Sequence, residues 1–177
     1  MKNRYGIDIW SDDNFFIEDG VVKVNYKPYP SLIKIVKDVR KQGFKGPLLL
    51  RFPHITKKQV KTLFNTFNSS IKEYDYKGKF NAVFPLKVNQ LPNFIHPLVS
   101  YGKKYNYGLE AGSKAELIIA MTYNNMGSPI TINGFKDKEM IHLCFIAKSM
   151  GHNITVIIEG LNELEMNQFQ FAIQVLS

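Results

Sequence analysis

The stretch Gly108-Leu109-Glu110-Ala111-Gly112-Ser113-Lys114-Ala115-Glu116-Leu117, with Pro129-Ile130-Thr131-Ile132 after it, decides the fold. Tyr105 to Leu109 reads as a strand, and the loop after it carries Glu110. Ser113 with Glu116 forms a capping box for a helix that runs to Asn125 and closes at Gly127. A second strand, Pro129 to Ile132, follows at once. Short apolar strands separated by single helices predict parallel strands covered by those helices.

The same rhythm extends in both directions. Downstream, Asp137 caps a helix to Met150, Gly151 stops it, and Ile154 to Ile158 is a β-branched strand. A last helix begins near Asn162 and runs into the C-terminus. Upstream, a strand ends near Lys87 and a helix spans about Pro92 to Lys103, with Pro97 awkwardly inside it. Thr56 with Gln59 starts a helix whose apolar face is Val60, Leu63, Phe64, Phe67 and Ile71. Pro47 to Phe52 reads as a strand, and Ser31 to Gln42 as a helix ended by Gly43. Before residue 30 the pattern is antiparallel. Ile7 and Ile9 suggest a short strand, and Asp19-Gly20 between two apolar runs signals a tight hairpin.

These readings predict an α/β chain with an N-terminal β section over 1–29 and a (β/α) section over 30–177. Its four strand–helix units suit either half a (β/α)8 barrel or a short doubly wound sheet. Pro85 inside the Lys87 strand predicts that this strand is short or distorted.

Composition narrows the class. The chain has 177 residues, 45% hydrophobic, enough for a packed core. No apolar run approaches the roughly 20 residues that span a bilayer, and the start lacks the apolar run of a secretory signal. One cysteine, Cys144, forbids an internal disulfide framework. The expectation is a cytoplasmic chain with no membrane partner. The net charge of +8 raises nucleic-acid binding, since eleven Lys or Arg lie between Lys23 and Lys61 against one acid, Asp38. In the 31–42 helix, however, Leu32, Ile35, Val36 and Val39 form the apolar stripe and the charges lie off it. A solvated basic face is expected, with no nucleic-acid partner.

The chemistry gathers at strand ends. Lys87 lies among apolar neighbours in Asn81-Ala82-Val83-Phe84-Pro85-Leu86-Lys87-Val88-Asn89-Gln90. A buried ammonium loses its proton more readily and becomes a nucleophilic amine suited to Schiff-base formation. Its bland alternative is a strand-end lysine whose head reaches water. Glu110 and then Asn133-Gly134-Phe135-Lys136-Asp137 bring polar groups to the carboxyl ends of the next strands, where α/β proteins place their sites. Glu110 has an alternative role too, stabilising the N-terminus of the Ser113 helix. Cys144, flanked by apolar residues, reads as a buried small hydrophobe. His54, His96, His142 and His152 lack metal-ligand spacing.

Phe84 to Gln90, Gly108 to Leu117 and Asn133 to Glu139 stand in the order and spacing of the biosynthetic arginine decarboxylases, and the chain resembles that family over about residues 5 to 165. Tyr5-Gly6-Ile7 with Trp10, Pro47 to Pro53, Gly151-His152 and Val156 to Glu159 also match. The resemblance implies an alanine-racemase-like barrel that uses pyridoxal 5'-phosphate to convert L-arginine to agmatine and carbon dioxide, for putrescine and spermidine synthesis. It places Lys87 as the lysine holding the cofactor as a Schiff base, Glu110 as electrostatic support beside it, and Asn133 among the cofactor-binding groups. It also implies dependence on Mg2+, whose ligands the sequence does not reveal, and a homo-oligomeric full-length enzyme. Other substrates in the same cofactor class are the alternative, as in ornithine or diaminopimelate decarboxylase or alanine racemase; a non-catalytic basic binding fragment is the second. Family members are several times longer, and the sequence has no Gly-Gly pair to suggest their phosphate-binding loop. Residues 166–177 depart from the family pattern. The expectation is an N-terminal fragment that is itself inactive, with a truncation or frameshift behind it.

Overall fold

The computed structural model describes residues 6–163 and 165, and the chain divides into two compact units, residues 1–55 and 56–177. In the first, strands β1 (Phe15–Glu18) and β2 (Val21–Val24) pair antiparallel with Glu18 opposite Val21. Only Asp19 and Gly20 are left to turn the chain, and both take positive φ, 51° and 75°, as a two-residue hairpin of this type demands. Helix α2 (Leu32–Lys41) is capped by the Ser31 hydroxyl, which accepts from the Lys34 N–H, and packs on β2. Its Leu32, Ile35, Val36 and Val39 are half-buried while Lys34, Lys37, Asp38 and Lys41 are exposed, so the basic residues do form a solvated face. The Val24 N–H donates to Pro30 O and Lys23 bridges Ser31, which ties the hairpin and α2 together across residue 30.

Two expected strands are absent from this unit. Residues 7–10 form a single helical turn, α1 (Ile7–Trp10), because Gly6 enters with φ 61° and the Ser11 N–H closes onto Ile7 O. Only Ile7 turns inward; Ile9 is 83% exposed, so the i, i+2 apolar pair was not a strand face. Pro47 to Phe52 pairs with no strand among the described residues, and Leu49 at its centre is 75% exposed. An apolar run without a neighbouring edge has nowhere to place its backbone donors.

Helix α3 (Pro53–Glu73), of which residues 56–73 belong to the second unit, begins three residues before the expected Thr56 cap. Proline at the first turn is tolerated because that N–H would lack an intrahelical acceptor anyway. Strands β3 (Val83–Pro85), β4 (Gly108–Ala111), β5 (Pro129–Ile132) and β6 (Asn153–Val156) form one parallel sheet in the order β3-β4-β5-β6. Helices α4 (Pro92–Gly102), α5 (Lys114–Tyr123) and α6 (Lys138–Ser149) connect them in turn. A doubly wound sheet needs a point where strand order reverses. This order never reverses, and it is that of four consecutive units of a (β/α) barrel.

Register assigns the two faces. Leu109 lies beside Ile130 and Ile130 beside Ile154, and Ala111 lies beside Ile132. These side chains share one face and make the core with Leu86, Ile95, Leu117, Ala120, Met140 and Cys144. The other face carries Pro85, Glu110, Thr131 and Thr155, again in register. Cys144 is buried and free, and burial pushes its thiol up to about 11, so the structure keeps it as a small core residue. The helix expected from Asn162 is helical at Leu161–Glu163 and at Glu165; its remainder, with residues 166–177, lies outside the described residues, as does Tyr5 of the expected N-terminal motif.

Candidate functional site at the carboxyl rim of the sheet

Lys87 follows β3 in the turn formed by Leu86, Lys87 and Val88, not in the strand itself. Leu86 is fully buried, yet Lys87 is exposed, and it has no hydrogen-bond or ion-pair partner among the described residues. The expected burial of its amine is corrected on this point. The strand stops at Pro85, the Val88 N–H donates back to Pro85 O, and the chain turns before Lys87 can enter the core. What remains is an amine displayed at the carboxyl end of a parallel strand.

Glu110 belongs to β4 rather than to the loop after it. It pairs with Pro85 on one side and Thr131 on the other, two residues short of the level of Lys87. Its carboxylate accepts a long hydrogen bond, 3.5 Å, from the side-chain amide of Asn133. The alternative role for Glu110, at the start of α5, is filled by another residue. Glu116 Oε2 accepts the Gly112 N–H at 2.7 Å while the Ser113 hydroxyl accepts the Glu116 N–H at 3.2 Å, a variant of the capping box in which the carboxylate reaches the N–H of the residue before the cap. Glu110 is therefore free to face the rim.

Asn133 extends the ladder past β5, its N–H donating to Ala111 O at 3.1 Å, and Gly134 follows with φ 137°. A side chain on Gly134 would come within 3.1 Å of Gly112 O, and one on Gly112 within 3.1 Å of Asn133 O. Two loops thus meet backbone to backbone with little room for a side chain at either position, and at Gly134 the φ itself favours glycine. Below them Lys114 bridges Asp137 at 2.8 Å and Glu139 at 2.6 Å, joining the starts of α5 and α6. The Lys114 ammonium, donating to Asp137, holds that carboxyl below the usual range, and Asp137 also caps α6 by accepting the Met140 N–H.

One group at this rim was not singled out from sequence. Lys136 is 1% exposed, and its Nζ reaches Gly134 O, Glu163 Oε2 at 3.2 Å and Glu159 Oε2 at 3.4 Å. Glu163 Oε2 also accepts the Glu159 N–H at 2.9 Å, which is the leading cause holding its carboxyl below the ordinary value. The two carboxylate partners stand more than twenty residues away, so no local pattern couples them to Lys136. Only the knowledge that successive strands are neighbours would have done so.

Among the described residues no group of three or more His, Cys, Asp and Glu could hold a metal ion, and no helix is long and apolar enough to cross a membrane. His54 stacks on Tyr26 at 4.4 Å, and burial lowers its pKa; it stands in the first unit as a packing residue.

A parallel sheet built in chain order, with an amine, a carboxylate and an amide at its carboxyl rim, defines a portion of a (β/α)-barrel protein. No protein-family model matches the chain. Among curated proteins, the biosynthetic arginine decarboxylase of Trichlorobacter lovleyi is 40% identical over 91% of this chain. That of Prochlorococcus marinus strain MIT 9515 is 36% identical over 92%. Each is matched over 26% of its own length. The crystal structure of the biosynthetic arginine decarboxylase of Campylobacter jejuni superposes with a TM-score of 0.89 at 62% identity, covering 92% of this chain and 28% of that one. The chain is thus similar to biosynthetic arginine decarboxylases over about nine-tenths of its own length and spans about a quarter of the length of the relatives it matches.

Proposed function

We propose that this chain supplies the cofactor lysine of a pyridoxal 5'-phosphate-dependent arginine decarboxylase. The observation that carries the reading is the exposed Lys87 at the carboxyl rim, without a partner among the described residues and two positions past Pro85, which pairs with Glu110, in a chain homologous to arginine decarboxylases. The donor set fits the cofactor. An accessible primary amine condenses with an aldehyde, and a half-buried carboxylate with one long hydrogen bond keeps acceptor capacity for a cationic partner. When bound, the cofactor supplies an electron sink for loss of the α-carboxylate. Lys87 would be the residue that holds it, through its exposed primary amine. Glu110 favours positive charge nearby, and Asn133 holds the Glu110 carboxylate in place. Within the 177 residues there is no Gly-Gly pair to suggest a phosphate loop. Arginine, as against ornithine or diaminopimelate, rests on the homology.

Two experiments test the reading. Borohydride reduction in the presence of pyridoxal 5'-phosphate, followed by peptide mapping, is expected to label Lys87. A label spread over exposed lysines such as Lys57, Lys58 and Lys61 would refute it. Grafting this chain in place of the matching segment of the Campylobacter jejuni relative is expected to give carbon dioxide release from L-arginine. Preference for ornithine or diaminopimelate, or activity that survives Lys87→Ala, would overturn the substrate or the lysine assignment.

A further inference from the structure

Lys136 is the one lysine in the described residues that the fold removes from water completely, with a side-chain exposure of 0%. Its three N–H donors meet three acceptors: Gly134 O, Glu159 Oε2 and Glu163 Oε2. Removing an ammonium from water costs so much that a buried ion pair is often no more stabilising than apolar residues of the same volume. Net stability alone is therefore a weak reason for the group to be there. Its connections are more specific. Gly134 lies next to Asn133 and against Gly112, Asn133 reaches Glu110, and Glu159 and Glu163 belong to the segment after β6. One ammonium thus ties the rim loop after β5 to the segment after β6.

We propose that Lys136 is a positioning residue for the Lys87 site: through the Gly134 carbonyl it fixes the 133–134 loop, and through that loop the Asn133 amide on Glu110. The inference rests on the reading of Lys87 as the cofactor lysine for its effect on binding, but the tether itself exists without cofactor. Breaking the tether lets the loop open locally, frees Asn133 from Ala111 O, and leaves Glu110 without its amide partner.

The test compares the full chain with Lys136→Met and with the double variant Lys136→Met/Glu163→Gln, which removes both charges of the closest pair. Hydrogen exchange is followed at the Asn133 amide and at the core amides of Ile130 and Ile132. In Lys136→Met the Asn133 amide is expected to exchange about tenfold faster or more, the loss of one charge-assisted hydrogen bond expressed as local opening. In the double variant the core amides and the unfolding midpoint recover, because a neutral amide replaces the buried carboxylate that lost its ammonium, but Asn133 exchange stays fast. If Asn133 protection recovers together with the core, or never changes, Lys136 only balances charge and the proposal is wrong. The second readout is the apparent dissociation constant for pyridoxal 5'-phosphate at Lys87, expected to rise about fivefold to tenfold in both variants. An unaltered constant alongside fast Asn133 exchange would also overturn the positioning role. If the unaltered chain forms no Schiff base at Lys87, the cofactor reading fails, and with it the link from Lys136 to cofactor binding; the exchange measurement then still decides whether the tether exists.

Discussion

Lys87 and Lys136 both follow the carboxyl end of a parallel strand in one sheet, the first two residues past β3 and the second four past β5, and the fold treats them in opposite ways. Lys87 follows β3, a three-residue strand at the sheet edge that ends in proline, and its amine is exposed and unpartnered among the described residues. Lys136 follows β5, an interior strand flanked by β4 and β6, and its amine is buried on three oxygens. The difference teaches that a strand's place in the sheet, more than its apolar flanks, decides whether a lysine at its end is desolvated. Only the partnerless amine is available for covalent chemistry; the saturated one is held by its partners.

The contrast is broken most decisively at Lys87. Lys87→Ala is expected to abolish borohydride-trapped cofactor while shifting stability by no more than about 0.5 kcal/mol, as for other exposed positions, measured by urea unfolding. A large loss of stability would mean that Lys87 is a packing residue after all. Lys136→Met is expected to act the other way, costing about 3 kcal/mol because the buried Glu163 carboxylate loses its contact with the Lys136 ammonium. A neutral effect would show that water reaches the cluster. Gly134→Ala, at φ 137° and facing Gly112 O, is expected to cost about 1–3 kcal/mol through backbone strain and to loosen the Asn133 amide, read by the same exchange measurement.

The smallest effect is the pH dependence of the Lys114–Asp137 bridge. Asp137 has a depressed folded pKa, so its contribution is present above the unfolded carboxylate value of about 3.9 and is lost as pH falls through the folded value. Lys114 has a raised folded pKa, so its contribution is complete below its unfolded value of about 10.4 and is lost only as pH rises through the folded one. The melting temperature of Lys114→Met should therefore converge on that of the unaltered chain at low pH. A constant gap across the acid range would assign the effect to packing.

The sequence made the elements with local chemistry legible. The Asp19-Gly20 hairpin, the Ser113 and Asp137 caps and the β5 boundaries all stand where expected, because each depends on residues a few positions apart. What failed depended on neighbours. Pro47 to Phe52 has strand composition but no strand to pair with, and Ile7 and Ile9 alternate over too short a run to separate a strand from a helical turn. At the rim, Glu110 and Asn133 were placed together by the strand–helix rhythm, and the structure brings them to 3.5 Å. The buried lysine was expected at Lys87 and found at Lys136, since burial is set by flanking strands that no single segment encodes.

The unbroken order of the sheet has a consequence for how the chain comes to be assembled. Pro85 pairs with Glu110, Glu110 with Thr131, and Thr131 with Thr155, so each strand meets the one made just before it, about two dozen residues earlier. Loops of that length close at modest entropic cost. A chain emerging at about 5–20 residues per second can therefore add each strand–helix unit to an existing edge within seconds of its synthesis, without waiting for distant sequence.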